Sequence, residues 1–235
     1  MNYRNGGLIT GHRHSWTQFL YAQKGAIKAR IGARTLVVGP RNGVLIPPGT
    51  EHQLTMSCEL ELRTLYFQQK RRTQIIDSSV IEVSRLLHEA ILRVCKQIFL
   101  DSRSKFDRSL SHVIVDELCN APRTEIELSV PNDDRAQSLC DLFLDKKSAS
   151  KPLITLCNEA GLSRRTAERL FSKETGLTPA QWRQHAVLSE SLINLVGGMS
   201  IDDASHAAGY KNRSSFSEAF KRTFGYAPGS VVRMR

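Results

Sequence analysis

A stretch close to the C-terminus that recurs 49 residues further on constrains this chain more than any other feature. The first copy runs Glu159-Ala160-Gly161-Leu162-Ser163-Arg164-Arg165-Thr166-Ala167-Glu168-Arg169-Leu170-Phe171 and continues to Thr175-Gly176-Leu177-Thr178-Pro179. The second runs Ala207-Ala208-Gly209-Tyr210-Lys211-Asn212-Arg213-Ser214-Ser215-Phe216-Ser217-Glu218-Ala219-Phe220 and continues to Phe224-Gly225-Tyr226-Ala227-Pro228. Phe171 answers to Phe220, Gly176 to Gly225 and Pro179 to Pro228. Each copy reads as a helix, a glycine turn and a second, basic helix. That is a helix-turn-helix, and two in one chain imply two contacts with one DNA duplex. One copy alone could be an ordinary amphipathic helix pair. Two copies sharing turn glycine, helix cap, inward phenylalanine and terminal Gly-x-x-Pro argue against that.

In such a motif the N-terminal side chains of the second helix meet base edges. In the first copy Gly161 makes the turn and Ser163 caps a helix that opens Arg164-Arg165-Thr166. Arg169 follows Arg165 by about one turn on the same face. Arginine suits bidentate contact with guanine, and Thr166 can hydrogen-bond a base or a phosphate. In the second copy the turn is one residue longer and Asn212 is the cap. Arg213, Ser214, Ser217, Glu218 and Lys221 line its outer side. Glu218 could accept from cytosine or restrain Arg222 within the protein. Between the copies, Thr178, Pro179 and Gln181 predict a capping box at the start of a long helix that stops at Gly197-Gly198.

The balance of charge agrees with a polyanionic partner. The chain has 235 residues, 33 Lys and Arg against 23 Asp and Glu, and a net charge of +10. A membrane surface could draw the same charge, but no apolar run approaches the length of a spanning helix, and the first residues lack a signal-peptide pattern. The excess is not confined to the C-terminal end: residues 1–70 hold 9 basic and 3 acidic residues, and residues 131–235 hold 15 and 11. The five cysteines include no Cys-x-x-Cys pair, so buried reduced thiols in a cytoplasmic protein are expected.

The first 70 residues break into short β-prone runs separated by Gly25, Gly32, Gly39 and Gly43, which suggests a small barrel or sandwich. From about Ser78 the period turns helical, with Val83, Leu86, Leu87, Ile91 and Val94 forming one stripe and Phe106, Leu110, Val113, Ile114 and Leu118 another. These stripes either pack on the strands or form a dimer seam. Ala121 to Pro131 reads as a linker. The domains expected are a sensor barrel over 1–72, amphipathic helices and linker over 73–130, and a DNA-binding domain over 131–235. The fold class is α+β in two domains.

Over roughly Asn132 to Arg235, and most specifically over Ser163–Trp182 and Gly209–Pro228, the sequence resembles the AraC/XylS family of bacterial transcription regulators. The resemblance implies two helix-turn-helix subdomains bridged by a rigid helix, with recognition helices in successive major grooves. It assigns base-facing roles to Arg165, Glu168 and Arg169, and to Arg213, Ser214 and Glu218. Where members usually carry Arg-Leu in the bridging helix, this chain has Val187-Leu188, so a structural or phosphate contact is lost. The implied partners are double-stranded DNA, RNA polymerase, a small-molecule effector and a second copy of the chain. The role is that of a regulator, for instance an activator.

The N-terminal part resembles the cupins. Gly6, His12-Arg13-His14, Gln18 and Gly25 follow the spacing of their first motif, and Pro47-Pro48-Gly49-Thr50-Glu51-His52 matches the core of the second. A metal cupin supplies three histidines and a carboxylate; here His12, His14 and His52 are present, with Gln18 in the carboxylate position. Three imidazoles could hold a divalent metal with Gln18 as a weak fourth ligand. The same histidines could instead be structural or touch an effector, in a pocket expected around His12, His14, Gln18, Tyr21, His52 and Tyr66. A metal-dependent oxygenase or isomerase carried on a DNA-binding domain is the enzymatic alternative. No nucleophile triad, phosphate loop or paired carboxylates support it, and no resident cofactor is expected. In a third reading, residues 1–120 serve dimerisation alone.

Overall fold

The computed structural model describes residues 2–3, 7–32, 34–56, 59–68, 75–97, 99–124, 127–145, 148 and 151–233. Gly6 of the first cupin motif, Cys58 and the expected boundary at residue 72 lie outside them. The strands are β1 (Asn2–Tyr3), β2 (Leu8–His12), β3 (Thr17–Lys24), β4 (Ile27–Ile31), β5 (Arg34–Val38), β6 (Asn42–Ile46), β7 (His52–Met56), β8 (Leu60–Phe67) and β9 (Ser79–Glu82). Two helices follow, α1 (Arg85–Gln97) and α2 (Lys105–Asn120), then β10 (Arg123–Thr124) and β11 (Glu127–Ser129). The remainder is helical: α3 (Asp134–Leu144), α4 (Leu153–Glu159), α5 (Arg164–Thr175), α6 (Pro179–Val196), α7 (Ile201–Ala207), α8 (Arg213–Phe224) and α9 (Pro228–Val232).

The chain divides into two compact units, Met1–Ile31 with Val38–Glu125, and Gly32–Val37 with Ile126–Arg235. In the first, six antiparallel strands pair in the order β1-β8-β3-β6-β9-β10. Three others pair as β4-β7-β2. The strands form separate antiparallel sheets, and among the described residues they do not close into a single barrel. The two-residue strands β1 and β10 end the larger sheet, and such short edges offer little ladder for a further strand.

One face of the larger sheet is covered by α1 and α2. Phe19 and Tyr21 of β3, Leu45 of β6 and Ile81 of β9 bury themselves with Leu87, Ile91 and Val94 of α1 and Ile114 and Leu118 of α2. Gly43 of β6 has no side chain, which lets the Phe19 ring lie across the strand where a Cβ would collide with it. The two predicted stripes therefore pack on the sheet. They are not wholly buried: Leu86, Phe106 and Val113 remain exposed.

The second unit has its own core, built by Leu139 and Phe143 of α3, Leu156 of α4, Leu170 and Phe171 of α5 and Trp182 of α6. The expected linker contains structure that the sequence did not announce. Leu128 of β11 joins this core, and β11 pairs antiparallel with β5, Leu128 opposite Thr35. Ser129 accepts the indole hydrogen bond of Trp182 at 2.8 Å. A three-residue strand has no period of its own, and its stability comes from a partner about ninety residues away.

Candidate nucleic-acid interface and sensor site

The two copies of the repeat fold alike because their local chemistry is alike. At the end of α4, Gly161 takes φ +70°, and at the end of α7, Gly209 takes φ +77°, a region that only glycine enters freely. Leu162 N then donates to Cys157 O, and Tyr210 N to Ser205 O, which closes each first helix with the same long bond. Ser163 Oγ accepts from Thr166 N at 3.1 Å, and Asn212 Oδ1 accepts from Ser215 N at 2.8 Å. The helices so capped, α5 and α8, are both 12 residues long and both end at a left-handed glycine, Gly176 and Gly225. The capping box of Thr178 and Gln181 is formed.

Between them runs α6, which buries Trp182, Leu188, Leu192 and Leu195 and packs on α3 and α5 at one end and on α7, α8 and α9 along the rest. Val187 is half-buried and Leu188 fully buried. In the second copy Phe216, Phe220 and Phe224 stack in sequence, with ring centroids 5.7 and 4.5 Å apart. These contacts fix which sides of α5 and α8 face outward.

On α5 the exposed side chains are Arg164, Arg165, Glu168 and Arg169 along the first two turns and Ser172 and Lys173 beyond them. Arg164 Nε donates to Glu168 Oε1 at 2.9 Å, one turn away. Among the described residues no ion pair engages Arg165 or Arg169. The Thr166 hydroxyl is half-buried and lies 2.8 Å from Ser163 Oγ, so it completes the cap as well as facing the helix start. On α8, Asn212, Arg213, Ser214, Glu218 and Lys221 are exposed and Ser217 is half-buried. Arg213 reaches Asp202 of α7 at 3.6 Å, and Glu218 forms no ion pair with Arg222 among the described residues. Among the described residues α5 therefore carries two guanidinium groups outside any ion pair, Arg165 and Arg169, whereas on α8 Arg213 is held by Asp202 and only Arg222, near the end of the helix, is not engaged.

The N-terminal site is assembled by the turn that the Pro-Pro-Gly sequence makes. Thr50 N donates to Pro47 O, and Gly49 at the third position has φ +74°, as a type II turn requires. Gly49 N then donates to the carbonyl of His14 at 2.7 Å, tying the β2–β3 connection to the start of β7. His12 and His52 stand opposite each other in the β2–β7 pair, with ring centroids 4.3 Å apart, and the His14 ring lies 5.1 Å from that of His52. Gln18 and Tyr66 are likewise opposite in the β3–β8 pair, and Gln18 Nε2 donates to the Tyr66 hydroxyl at 2.8 Å. Tyr66 stands edge-on to His14, although its residue is more than half exposed.

Five of the six residues expected in the pocket thus meet. Tyr21 does not. Successive residues of a strand point to opposite faces, so Tyr21, three after Gln18, faces the helices. Its hydroxyl lies 2.8 Å from His88 Nδ1 of α1, and burial raises its pKa against the opposing pull of Arg41. His88 is a partner that the sequence reading missed. Burial also holds the His52 imidazole below its ordinary pKa; the bond to the Thr50 carbonyl opposes this, while His12 and His14 add to it. Beside this cluster a cavity of about 670 Å³ opens between the end of β8 and the helices, and Trp16, Tyr66, Phe67, Val94 and Leu100 are among its walls.

A tandem helix-turn-helix with exposed, capped basic helices, together with a sheet-rich unit bearing a cavity, defines a DNA-binding transcription regulator with a ligand-binding part. The chain belongs to the AraC family: residues 6–115 match the model of the AraC-like ligand binding domain, and residues 156–234 match that of a helix-turn-helix domain. It is similar to the HTH-type transcriptional regulator NimR of Escherichia coli, 28% identical over 221 residues, which span 94% of this chain and 81% of that protein. It is also similar to the transcriptional activator NphR of Rhodococcus, 39% identical over 71 residues, 30% of this chain and 21% of that one. Among solved structures, ToxT from Vibrio cholerae O395 aligns with 99% of this chain and 95% of its own at 14% identity, with a TM-score of 0.41, a likeness too remote to carry an argument. No helix among the described residues is long and apolar enough to cross a membrane.

Proposed function

We propose that this regulator reads two major-groove segments of one duplex with α5 and α8, and that a small molecule held by the first unit sets its output. The observation that carries the reading is the equivalence of α5 and α8: equal length, equal capping and equal termination, in one compact unit. Arg165 and Arg169 supply base contacts on α5, with Arg164 held back by Glu168. On α8, Arg213, Ser214, Ser217 and Lys221 supply polar and phosphate contacts, capped by Asn212. A cavity of about 670 Å³ falls within the range of drug-sized ligand sites, about 300–1,000 Å³. Its largely apolar walls suit a mostly apolar compound, with His112 and Asp116 as polar anchors. Contact with RNA polymerase, and pairing of two copies through exposed Leu86, Phe106 and Val113, belong to the same proposal. The relatives are regulators, so the output assigned is transcriptional, not catalytic.

Footprinting of the full chain on its operator tests this. Two protected segments about one helical turn apart, roughly 10–10.5 bp between centres, are expected. Five base pairs inserted between them should abolish protection of one. A single segment indifferent to spacing would leave α8 with a structural role only.

A further inference from the structure

We infer that the cavity between β8 and the helices, proposed as the effector site, takes a bulky aromatic cation, its charge set against Asp116 and its rings against Trp16, Tyr66 and Phe99. The assignment rests on that reading of the cavity and adds the sign of the ligand's charge. The first support is where the chain leaves aromatic surface uncovered. Among the described residues four aromatic side chains are exposed, Trp16, Tyr66, Phe99 and Phe106, and the first three line this cavity. Phe99, in the connection between α1 and α2, is 74% exposed. Large apolar side chains left open around one concave place mark a surface that a ligand covers.

The second support is the sign of the charge in the walls. The chain carries 33 Lys and Arg, yet none among the described residues lines the cavity, whereas a carboxylate, Asp116 of α2, does. No ion pair engages Asp116 among the described residues. A neutral apolar ligand seated against it would strip water from a carboxylate and offer nothing in return, and an anion would add repulsion. A cation compensates for the lost water. The rings act in the same direction, because an aromatic face is the negative part of its quadrupole. The chain shows this contact at the fourth exposed ring, where the Arg93 guanidinium stands 5.9 Å from the centroid of Phe106. No guanidinium or ammonium of the described residues stands so over Trp16 or Phe99.

The third support is what lies behind the rings. Leu65 and Phe67 of β8, Val94 of α1, Leu100 and Ile114 of α2 form apolar walls at the margin of the core between sheet and helices. A small, strongly hydrated cation gains nothing from such walls and would lose its water there. A cation shielded by aromatic groups uses both the walls and the carboxylate.

Tetraphenylphosphonium and tetraphenylborate share one shape and differ in sign, and triphenylphosphine oxide is a neutral relative. Titrated into the full-length protein in a calorimeter, the phosphonium should bind most tightly, although a net charge of +10 draws the borate. Binding should change tryptophan emission in the wild type and not in Trp16→Phe, where only the buried Trp182 emits. Asp116→Asn and Phe99→Leu, both at exposed positions, should each weaken the phosphonium about two- to fivefold and leave the oxide unchanged. Borate bound as tightly as phosphonium would overturn the proposal and point to the basic run Lys70-Arg71-Arg72 that follows Gln68 in the sequence. Phosphonium affinity unmoved in both variants, or lost together with that of the oxide, would overturn it too. Operator affinity measured with each compound separates the two readings. Phosphonium bound at Trp16 without effect on the operator removes the effector role and keeps the cation site. An operator response to the oxide or the borate alone keeps the effector role and removes the cation.

Discussion

Replacing Arg169 with alanine removes one of two outward guanidinium groups on α5 that no carboxylate engages among the described residues. Arg165 and Arg169 are four residues apart, and at about 1.5 Å of rise per residue their Cα atoms stand about 6 Å apart along the helix. Base pairs are spaced about 3.4 Å apart, so the two side chains reach bases about two steps apart. A bidentate arginine–guanine contact discriminates by about 1–3 kcal/mol. With about 1.4 kcal/mol per factor of ten, Kd for the operator should rise about 5- to 150-fold. The preference should relax at one base position, while binding to unrelated duplex changes little. Arg164→Ala should cost less, because that guanidinium already lies 2.9 Å from Glu168 in the free protein. Fluorescence anisotropy with operator duplexes varied at each base, at two salt concentrations, would measure all of this. A phosphate contact would instead show as a slope in log K against log salt reduced by about 0.9, uniform across sequences. If Arg164→Ala proves the costlier change, or Arg169→Ala alters neither affinity nor preference, the assignment of roles on α5 is wrong.

Three further outcomes follow from packing and backbone. Phe220, fully buried between Phe216 and Phe224, should cost about 3–5 kcal/mol on replacement by alanine, read as a shift in the urea midpoint of the second unit, and an unmoved midpoint would refute the aromatic core described for this copy. Gly225→Ala forces a side chain into φ +79° and should destabilise by about 1 kcal/mol, whereas Gly229→Ala, inside α9 in open space, should be neutral or stabilising; equal melting temperatures would count against the cap. Burial pushes the Cys140 thiol up to about 12, so at pH 8 it should resist iodoacetamide in the folded protein and react only on unfolding, as peptide mass mapping would show.

What could be read in advance was set by neighbours in the chain. Ser163, Asn212, Thr178 and Gln181 cap with their own side chains, and Gly176 and Gly225 terminate through their own φ, so helix boundaries were legible to the residue. The pairing of Arg164 with Glu168 is likewise a one-turn relation. The cluster of His12, His14, Gln18 and His52 was legible as spacing, although what holds each ring is backbone carbonyl oxygen, which any sequence supplies. Tyr21 was misplaced by proximity in sequence, where the two-residue period of the strand would have put it on the far face. His88 had no signal at all: it comes from a helix whose docking is decided by the whole sheet. The same holds for β11, whose partner lies in the first forty residues.

That pairing has a consequence for anyone who cuts or grafts this protein. Because Gly32–Val37 is grouped with the C-terminal unit, the polypeptide passes from one unit to the other three times, at residues 31–32, 37–38 and 125–126. A fragment begun at residue 131 would lose Leu128 from its core and the carbonyl that receives the Trp182 indole. A chimaera joined there would inherit the same defects, and one joined at residue 126 would still leave β11 without β5. Exchange of sensors between such regulators must therefore carry a strand from the front of one chain to the back of another, a double crossover, not a single splice.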